Sequence, residues 1–354
     1  MMSDCLAKNS LCSERSSKWD IIKFIMIFLV VIGHAADYYT SNSEKMKSLF
    51  FFIYTFHMPV FIFISGLFAK RTVNEKRKDK IAGYLVLYLL FKIFVFAYKS
   101  ILTGRPKFSL LTESAVPWFM LALFWFAAIT IILKDFSPKF VLPVSIALAC
   151  IVGYDSEIGD FLALSRVIVY YPFYYAGYIA DAKKLEEICK NKILKVASAF
   201  ILTAYALFVF IFNDKVYWAR PLLTGRNPFS ALGEFSDYGF ILRLLYYAAV
   251  AVICFAIIAV APDKTPFGII PKLGQRTISV YFFHNFALYV IYTYTDGKAF
   301  FNSIFPSGAG WIIIPLSVII TLFFSLKPFN NILSFFAVLP YKSKTEKQKK
   351  PETS

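Results

Sequence analysis

The side chains best suited to proton chemistry in this chain are its three histidines, His34, His57 and His284, and each falls inside a stretch apolar enough to cross a bilayer. A titratable group at that depth is costly to keep and usually marks function. Each also sits among small or polar residues: Val31-Ile32-Gly33-His34, Phe56-His57-Met58-Pro59 and Ser279-Val280-Tyr281-Phe282-Phe283-His284. A neutral imidazole is a base near pH 7, and a neighbouring hydroxyl or guanidinium can steady a developing negative charge. The five cysteines, Cys5, Cys12, Cys150, Cys189 and Cys254, form no Cys-x-x-Cys pair and have no histidine at metal-ligand spacing, so neither a metal site nor a disulfide is expected.

A second set of polar groups shares the first apolar stretch. Asp20, Lys23 and His34 are separated by three and eleven residues, close to one and three helical turns, so all three project to nearly one face. At about 1.5 Å rise per residue, Lys23 and His34 differ in depth by roughly 16 Å, and a substrate touching both would be long. The plainer alternative pairs Asp20 with Lys23 and bonds His34 to a neighbouring carbonyl. Pro59 removes a backbone donor beside His57 and loosens the helix there, while Ser65-Gly66 lets another helix or a ligand approach. Arg166 falls within a later apolar stretch. Lys92 and Arg243 do too, and are read as long stems reaching toward an interface. For His284, a structural hydrogen bond to Tyr281 or Ser279 competes with a role in the site.

The elements that must position these groups are membrane helices. Apolar residues make up 58% of the chain, aromatics 19% and charged residues 17%, with a mean hydropathy of +0.61, the profile of a lipid-embedded protein. A net charge of +16 would suit a nucleic-acid partner, but Lys and Arg are scattered through short connections with no recognition motif, so no nucleic acid is expected. Long apolar runs ended by charge, Gly or Pro give ten candidate spans, near 19–38, 48–69, 81–101, 117–133, 140–154, 163–180, 194–212, 240–261, 276–294 and 309–326, each close to the roughly 20 residues that cross a bilayer. The fifth is the shortest. With an inside N-terminus, the lysines and arginines of 70–80 and 183–195 fall inside, whereas the loop with Asp155, Glu157 and Asp160 carries no positive charge and falls outside.

The expected fold is therefore an all-α membrane protein, a bundle of about ten transmembrane helices with both termini cytoplasmic, in the inner (plasma) membrane. Residues 1–18 form an N-terminal tail, 19–326 the membrane domain and 327–354 a basic tail, Lys-rich and disordered from Ser343 to Ser354. Residues 21–33 also have the look of a signal-peptide core before His34-Ala35-Ala36-Asp37, but Lys23 interrupts it.

Taken in order, Asp20-x-x-Lys23 with Val30-Val31-Ile32-Gly33-His34, Phe56-His57-Met58-Pro59 running on to Ser65-Gly66, a basic loop, Pro117-Trp118-Phe119, Tyr171-Pro172-Phe173-x-x-x-Gly177 and Leu273-Gly274-x-x-Thr277-Ile278-Ser279-x-Tyr281-x-x-His284 resemble the acyltransferase 3 family of integral membrane proteins. The likeness covers about Arg15 to Leu326 and is greatest to the branch that includes fucose 4-O-acetylases acting on bacterial surface glycans. It implies a ten-helix enzyme that passes an acyl group, commonly acetyl, from cytoplasmic acetyl-CoA or another acyl-CoA to a sugar hydroxyl at the outer face, with His34 at the position regarded as catalytic. Lys23 departs from the arginine of many relatives, giving a point charge in place of a bidentate fork. An Arg-x-x-Arg element of relatives reads Arg77-Lys78-Asp79-Lys80 here, and Arg77 is carried over as its counterpart.

Acyl transfer to a hydroxyl needs a base, donors for a tetrahedral oxyanion and a dry site. His34 suits the first task; His57, Tyr281 or Arg166 suit the second, and His284 joins them as a candidate. Asp20, Lys23, Arg77, Arg166, Trp118 and Ser65 are the candidate substrate contacts. The basic stretch from Lys70 to Lys80 is placed to hold coenzyme A phosphates, or merely to anchor the inner face. The segment 213–239, with Tyr217, Trp218, Arg220, Arg226 and Asn227, is a candidate contact for a glycan or lipid-linked sugar acceptor, and membrane lipid is the remaining partner. The competing reading is a transporter of a small anion or acylated glycan, with the histidines as a proton relay.

Overall fold

The computed structural model describes residues 16–104, 108–113, 116–305 and 308–337. Most of the N-terminal tail, with Cys5 and Cys12, and the Lys-rich stretch from Ser343 to Ser354 lie outside the described residues. In hydrocarbon every backbone N–H and C=O needs a partner within the chain, and a helix supplies it locally. The described residues accordingly form helices and no strand. The principal ones are α1 (Ser17–Asp37), α2 (Glu44–Leu67), α3 (Lys78–Thr103), α4 (Trp118–Leu133), α5 (Pro138–Ile151), α6 (Leu164–Ile179), α7 (Lys192–Ile211), α8 (Gly239–Val260), α9 (Thr277–Tyr289), α10 (Ile313–Phe324) and α11 (Lys327–Ala337).

Five helical segments, α1, α2, α3, α7 and Phe229–Val260, are long and apolar enough to cross a membrane singly. A sixth results if Gly310–Phe324 and Lys327–Ala337, bent by 57° at their break, form one broken span. The helices α4 and α5 are apolar but shorter; α5 continues as one tight turn, Val152–Tyr154. Residues 327–337, assigned on sequence to the tail, form α11, whose Phe329 packs against Phe283 and Phe324 while Leu333 is buried.

Helix α1 is central, packing against α2, α9, α10 and the short helix Ile269–Gly274. Two glycines let α2 and α6 cross at backbone distance: a Cβ added at Gly66 would lie 1.9 Å from the Tyr174 carbonyl oxygen, and one at Gly177 would lie 2.0 Å from that of Phe63. This small-residue contact is how membrane helices associate closely when hydrophobicity gives no preference for protein over lipid. On α7, by contrast, Ile193, Val196 and Phe200 are exposed, an apolar surface suited to lipid.

Lys92 and Arg243 both end on backbone carbonyls of the segments that connect helices. Arg243 is 1% exposed, donates to the Leu222 carbonyl at 2.7 Å and lies over the rings of Phe229 and Tyr246. Lys92 donates to the Thr112 carbonyl at 3.0 Å and pairs with Glu113 at 3.1 Å. Irregular backbone between helices offers carbonyls that a helix would have satisfied internally, and these cations satisfy them.

Candidate active site

The C-terminal turns of α1 bring His34 beside the middle of α2. Gly33, immediately before it, permits the approach, since a Cβ there would lie 3.0 Å from the Tyr54 ring. The Tyr54 hydroxyl stands 3.3 Å from His34 Nδ1. Tyr54 in turn stacks on Phe50 and meets the His57 ring edge-on, their centroids 4.7 Å apart. From α9, His284 lies against His34 with ring centroids 5.2 Å apart. The three histidines, dispersed in the sequence, thus form one chain of contacts through Tyr54.

They are not equivalent. His57 Nδ1 donates to the Ile53 carbonyl at 2.8 Å, and His284 Nδ1 donates to the carbonyls of Val280 and Tyr281, each at 2.9 Å. Both are buried, and Nε2 of His284 has no hydrogen-bond partner among the described residues. A neutral imidazole that gives its Nδ1 proton to a carbonyl keeps its lone pair on Nε2. His34 alone is partly open and has a hydroxyl as its partner.

His34 and His57 open on a cavity of about 610 Å³. Its walls come from Asp37 on α1, Phe50 and Tyr54 on α2, Lys99 on α3, Trp118 at the start of α4, Arg166 and Tyr170 on α6, and Tyr281, Asn285 and Tyr289 on α9. The segment from Arg220 to Asn227 closes it on one side. That segment is pinned through its backbone: Arg243, Tyr170 and Ser165 donate to the carbonyls of Leu222, Leu223 and Gly225. Arg220 also pairs with Asp37 at 2.7 Å. A narrow apolar slot of about 20 Å³, lined by Ile27, Phe119, Met120 and Ile278 among others, shares Val30, Met58 and Tyr281 with the chamber.

Of the residues singled out on sequence, His34, His57, Tyr281, Arg166 and Trp118 line the chamber, and His284 packs behind His34. The Arg166 guanidinium lies 5.2 Å over the Trp118 ring, donates to the Glu113 carbonyl at 2.9 Å and stands 3.9 Å from Asp160. Trp118 stacks on Tyr170. The Tyr281 hydroxyl accepts from the Phe119 N–H at 3.3 Å and donates to the Val116 carbonyl, anchoring the first turn of α4. Asp20, Lys23, Ser65 and Arg77 lie elsewhere. Asp20 pairs with Lys23 at 2.7 Å and accepts from Gln275 at 3.0 Å. Ser65 donates to the Phe61 carbonyl within its own helix, and Arg77 pairs with Asp79. Arg71 of the same basic loop pairs with Glu75.

Tyr54, Asp37, Lys99, Tyr170 and Asn285 complete the wall and escaped the sequence reading. Tyr54 carried a signal, since it precedes His57 by one helical turn and shares its face. Arg220, Arg226 and Asn227 of the candidate sugar loop reach the chamber, while Trp218 stacks on Phe235 away from it.

Residues 17–326 match the family model described as an acyltransferase domain. A nodulation protein, NolL, from Sinorhizobium fredii is 25% identical over 233 residues, 61% of this chain; the chain likewise spans 61% of that relative's length. No solved structure matches.

Proposed function

This chain belongs to the acyltransferase 3 family and is a multi-pass membrane acyltransferase, and from that premise we propose that it moves an acetyl or other short acyl group from acyl-CoA to a hydroxyl of a cell-surface or lipid-linked glycan. In this reading the protein sits in the inner membrane with ten spans and both termini cytoplasmic, as the distribution of Lys and Arg favours. The donor arrives from the side of Lys23 and the acceptor from the side of the 220–227 segment.

The single observation that carries the reading is the setting of His34, a partly open imidazole in the chamber wall with the Tyr54 hydroxyl on Nδ1. With Nδ1–H donating to the Tyr54 oxygen, Nε2 is left as the base. It takes the proton of the acceptor hydroxyl as the oxygen attacks the thioester carbonyl. The tetrahedral oxyanion then collapses, the C–S bond breaks, and the imidazolium returns its proton to the departing thiolate. Arg166 supplies positive charge along the chamber wall, and its Trp118 stack and Glu113 bond keep the guanidinium in place. The apolar slot beside Ile27 and Met120 begins at the chamber and lies on the Lys23 side of His34 along α1, a direction that suits the donor's thioester arm. Membership of a family described as an acyltransferase domain favours transfer over the transporter reading.

The test is label transfer in inside-out membrane vesicles. With radiolabelled acetyl-CoA on the exposed cytoplasmic face, the wild-type protein passes label into glycan, and His34→Ala at equal protein level does not. Equal labelling by the two proteins would remove His34 from the chemistry.

A further inference from the structure

The chamber wall is strongly unbalanced in charge, and the proposed acceptor must live with that imbalance. Lys99, Arg166, Arg220 and Arg226 line it, against a single lining carboxylate, Asp37. Asp160, behind the wall, pairs with Arg226 at 2.6 Å and stands 3.9 Å from Arg166, while Asp37 pairs with Arg220. Glu113, whose carbonyl receives Arg166, has Lys92 3.1 Å from its carboxylate. When Asp37 and Asp160 are both counted against the four cations, positive charge is still in excess among the described residues. A wall with more cations than carboxylates gives the chamber a positive potential that favours an anionic ligand. Guanidinium groups are moreover the side chains that bind phosphate and carboxylate in a two-pronged fashion.

We infer that the acceptor carries an anionic group, a phosphate or a carboxylate, which seats against Arg166, Arg220 and Arg226 and so presents the neighbouring hydroxyl to His34. The geometry suits such a sugar. Arg220 pairs with Asp37, one helical turn beyond His34, so the anion site and the imidazole belong to the same end of α1. Asn227 and Asn285 line the same chamber and offer amides for sugar hydroxyls. Of the two sources of negative charge, an acidic sugar and the phosphates of the donor, the acidic acceptor fits better, because the cations cluster with the 220–227 segment and the slot beside Ile27 has none. This inference rests on the reading that the chamber receives the acceptor.

The test measures binding, so it does not depend on turnover. Purified full-length protein in detergent is titrated with methyl glucoside, methyl glucuronide, glucose 1-phosphate and coenzyme A. At least one of the two charged sugars should bind about tenfold more tightly than the neutral one, and which of them wins distinguishes carboxylate from phosphate. Arg226→Gln should bring charged and neutral sugars to within about threefold, the loss expected when one charge-assisted contact goes, and leave coenzyme A affinity unchanged. Arg226→Lys, which keeps the charge, should retain a preference, and it decides the matter if the glutamine variant fails to fold. Charged sugars binding no better than methyl glucoside, or none of the sugars binding, overturns the inference. So does an arginine variant that weakens coenzyme A alone, since the chamber would then hold the donor's phosphates. A failure of transfer itself would be seen separately, as absent labelling by the wild-type protein in vesicles.

Discussion

At the end of α1 that carries Asp20, the carboxylate is 2% exposed, pairs with Lys23 at 2.7 Å and accepts from Gln275 at 3.0 Å. Gly274 presses so close that an added Cβ would lie 1.8 Å from the Asp20 carbonyl oxygen. At the other end of the same helix, His34 and Asp37 face a cavity of about 610 Å³, and their partners Tyr54 and Arg220 line it too. Both ends are polar, and both are satisfied by side chains from other segments or from the next turn. The difference is room: around Asp20 packed backbone leaves none, and around His34 a side stays open to a ligand. A buried polar group in a membrane helix is therefore a structural device where its surroundings are filled, and a chemical one where they are not.

The sharpest way to break this comparison is to disable each end in turn. His34→Ala, and His34→Gln as the more nearly isosteric change, should lower transfer by about 10²–10⁴-fold, the usual worth of a positioned base, with the melting temperature of the purified protein little changed. Asp20→Ala should do the reverse. It removes the carboxylate that receives Lys23 and Gln275, a loss of about 1–3 kcal/mol on the scale of a hydrogen bond to a charged group. Thermal melting reads that loss, while turnover per folded molecule stays near wild type. The double substitution Asp20→Ala with Lys23→Met should recover part of the stability. If Asp20→Ala instead abolished turnover in protein that remained folded, the two ends would have to be treated as one site.

How far the sequence reaches follows the same division. The helices were legible because apolar runs of bilayer length leave few alternatives, and α1 was legible as a special helix because Asp20, Lys23 and His34 share its face. Periodicity treats those three residues alike, however, and only tertiary packing separates the buried Asp20 from the open imidazole. The meeting of His34 with His284 depends on α1 packing against α9, which nothing in either segment specifies. The partners of Arg243 and Lys92 lie outside the sequence pattern for a related reason. Hydropathy registers a charge on an apolar helix but not the distant carbonyls of Leu222 and Thr112 that receive it. Arg220 and Asp37 form their pair across 183 positions of chain, beyond any local pattern.

Two smaller effects refine the comparison. Gly274→Ala places a methyl group where the Asp20 backbone already is, so the short helix Ile269–Gly274 must shift away from α1. A cost of about 1–3 kcal/mol, typical of overpacking, should appear in thermal melting, and transfer should fall only as far as folded protein does. At the open end, Tyr54→Phe keeps the ring and its stack on Phe50 but removes the hydroxyl from His34 Nδ1. Turnover should drop about five- to tenfold, the scale of one hydrogen bond, with the Michaelis constants unchanged, because the hydroxyl orients the base without touching substrate. A fall as large as that of His34→Ala would instead make the tyrosine a participant in proton transfer.

The smallest effect is expected at Arg77, and it probes whether the basic loop belongs to either category. Its guanidinium pairs with Asp79 two residues away, and both side chains are within reach of solvent. An ion pair so exposed contributes little to stability because water and salt screen it. Arg77→Gln should therefore leave the melting temperature where it is. If the loop merely anchors the chain, transfer kinetics stay unchanged as well. If Arg77 holds a donor phosphate, as its likeness to the Arg-x-x-Arg element implies, the Michaelis constant for acetyl-CoA rises while the maximal rate and the acceptor constant hold. Such a split would identify a third setting for charge in this molecule, neither sealed by packing nor enclosed in the chamber, where a cation serves a ligand because its own partner is weak enough to be exchanged.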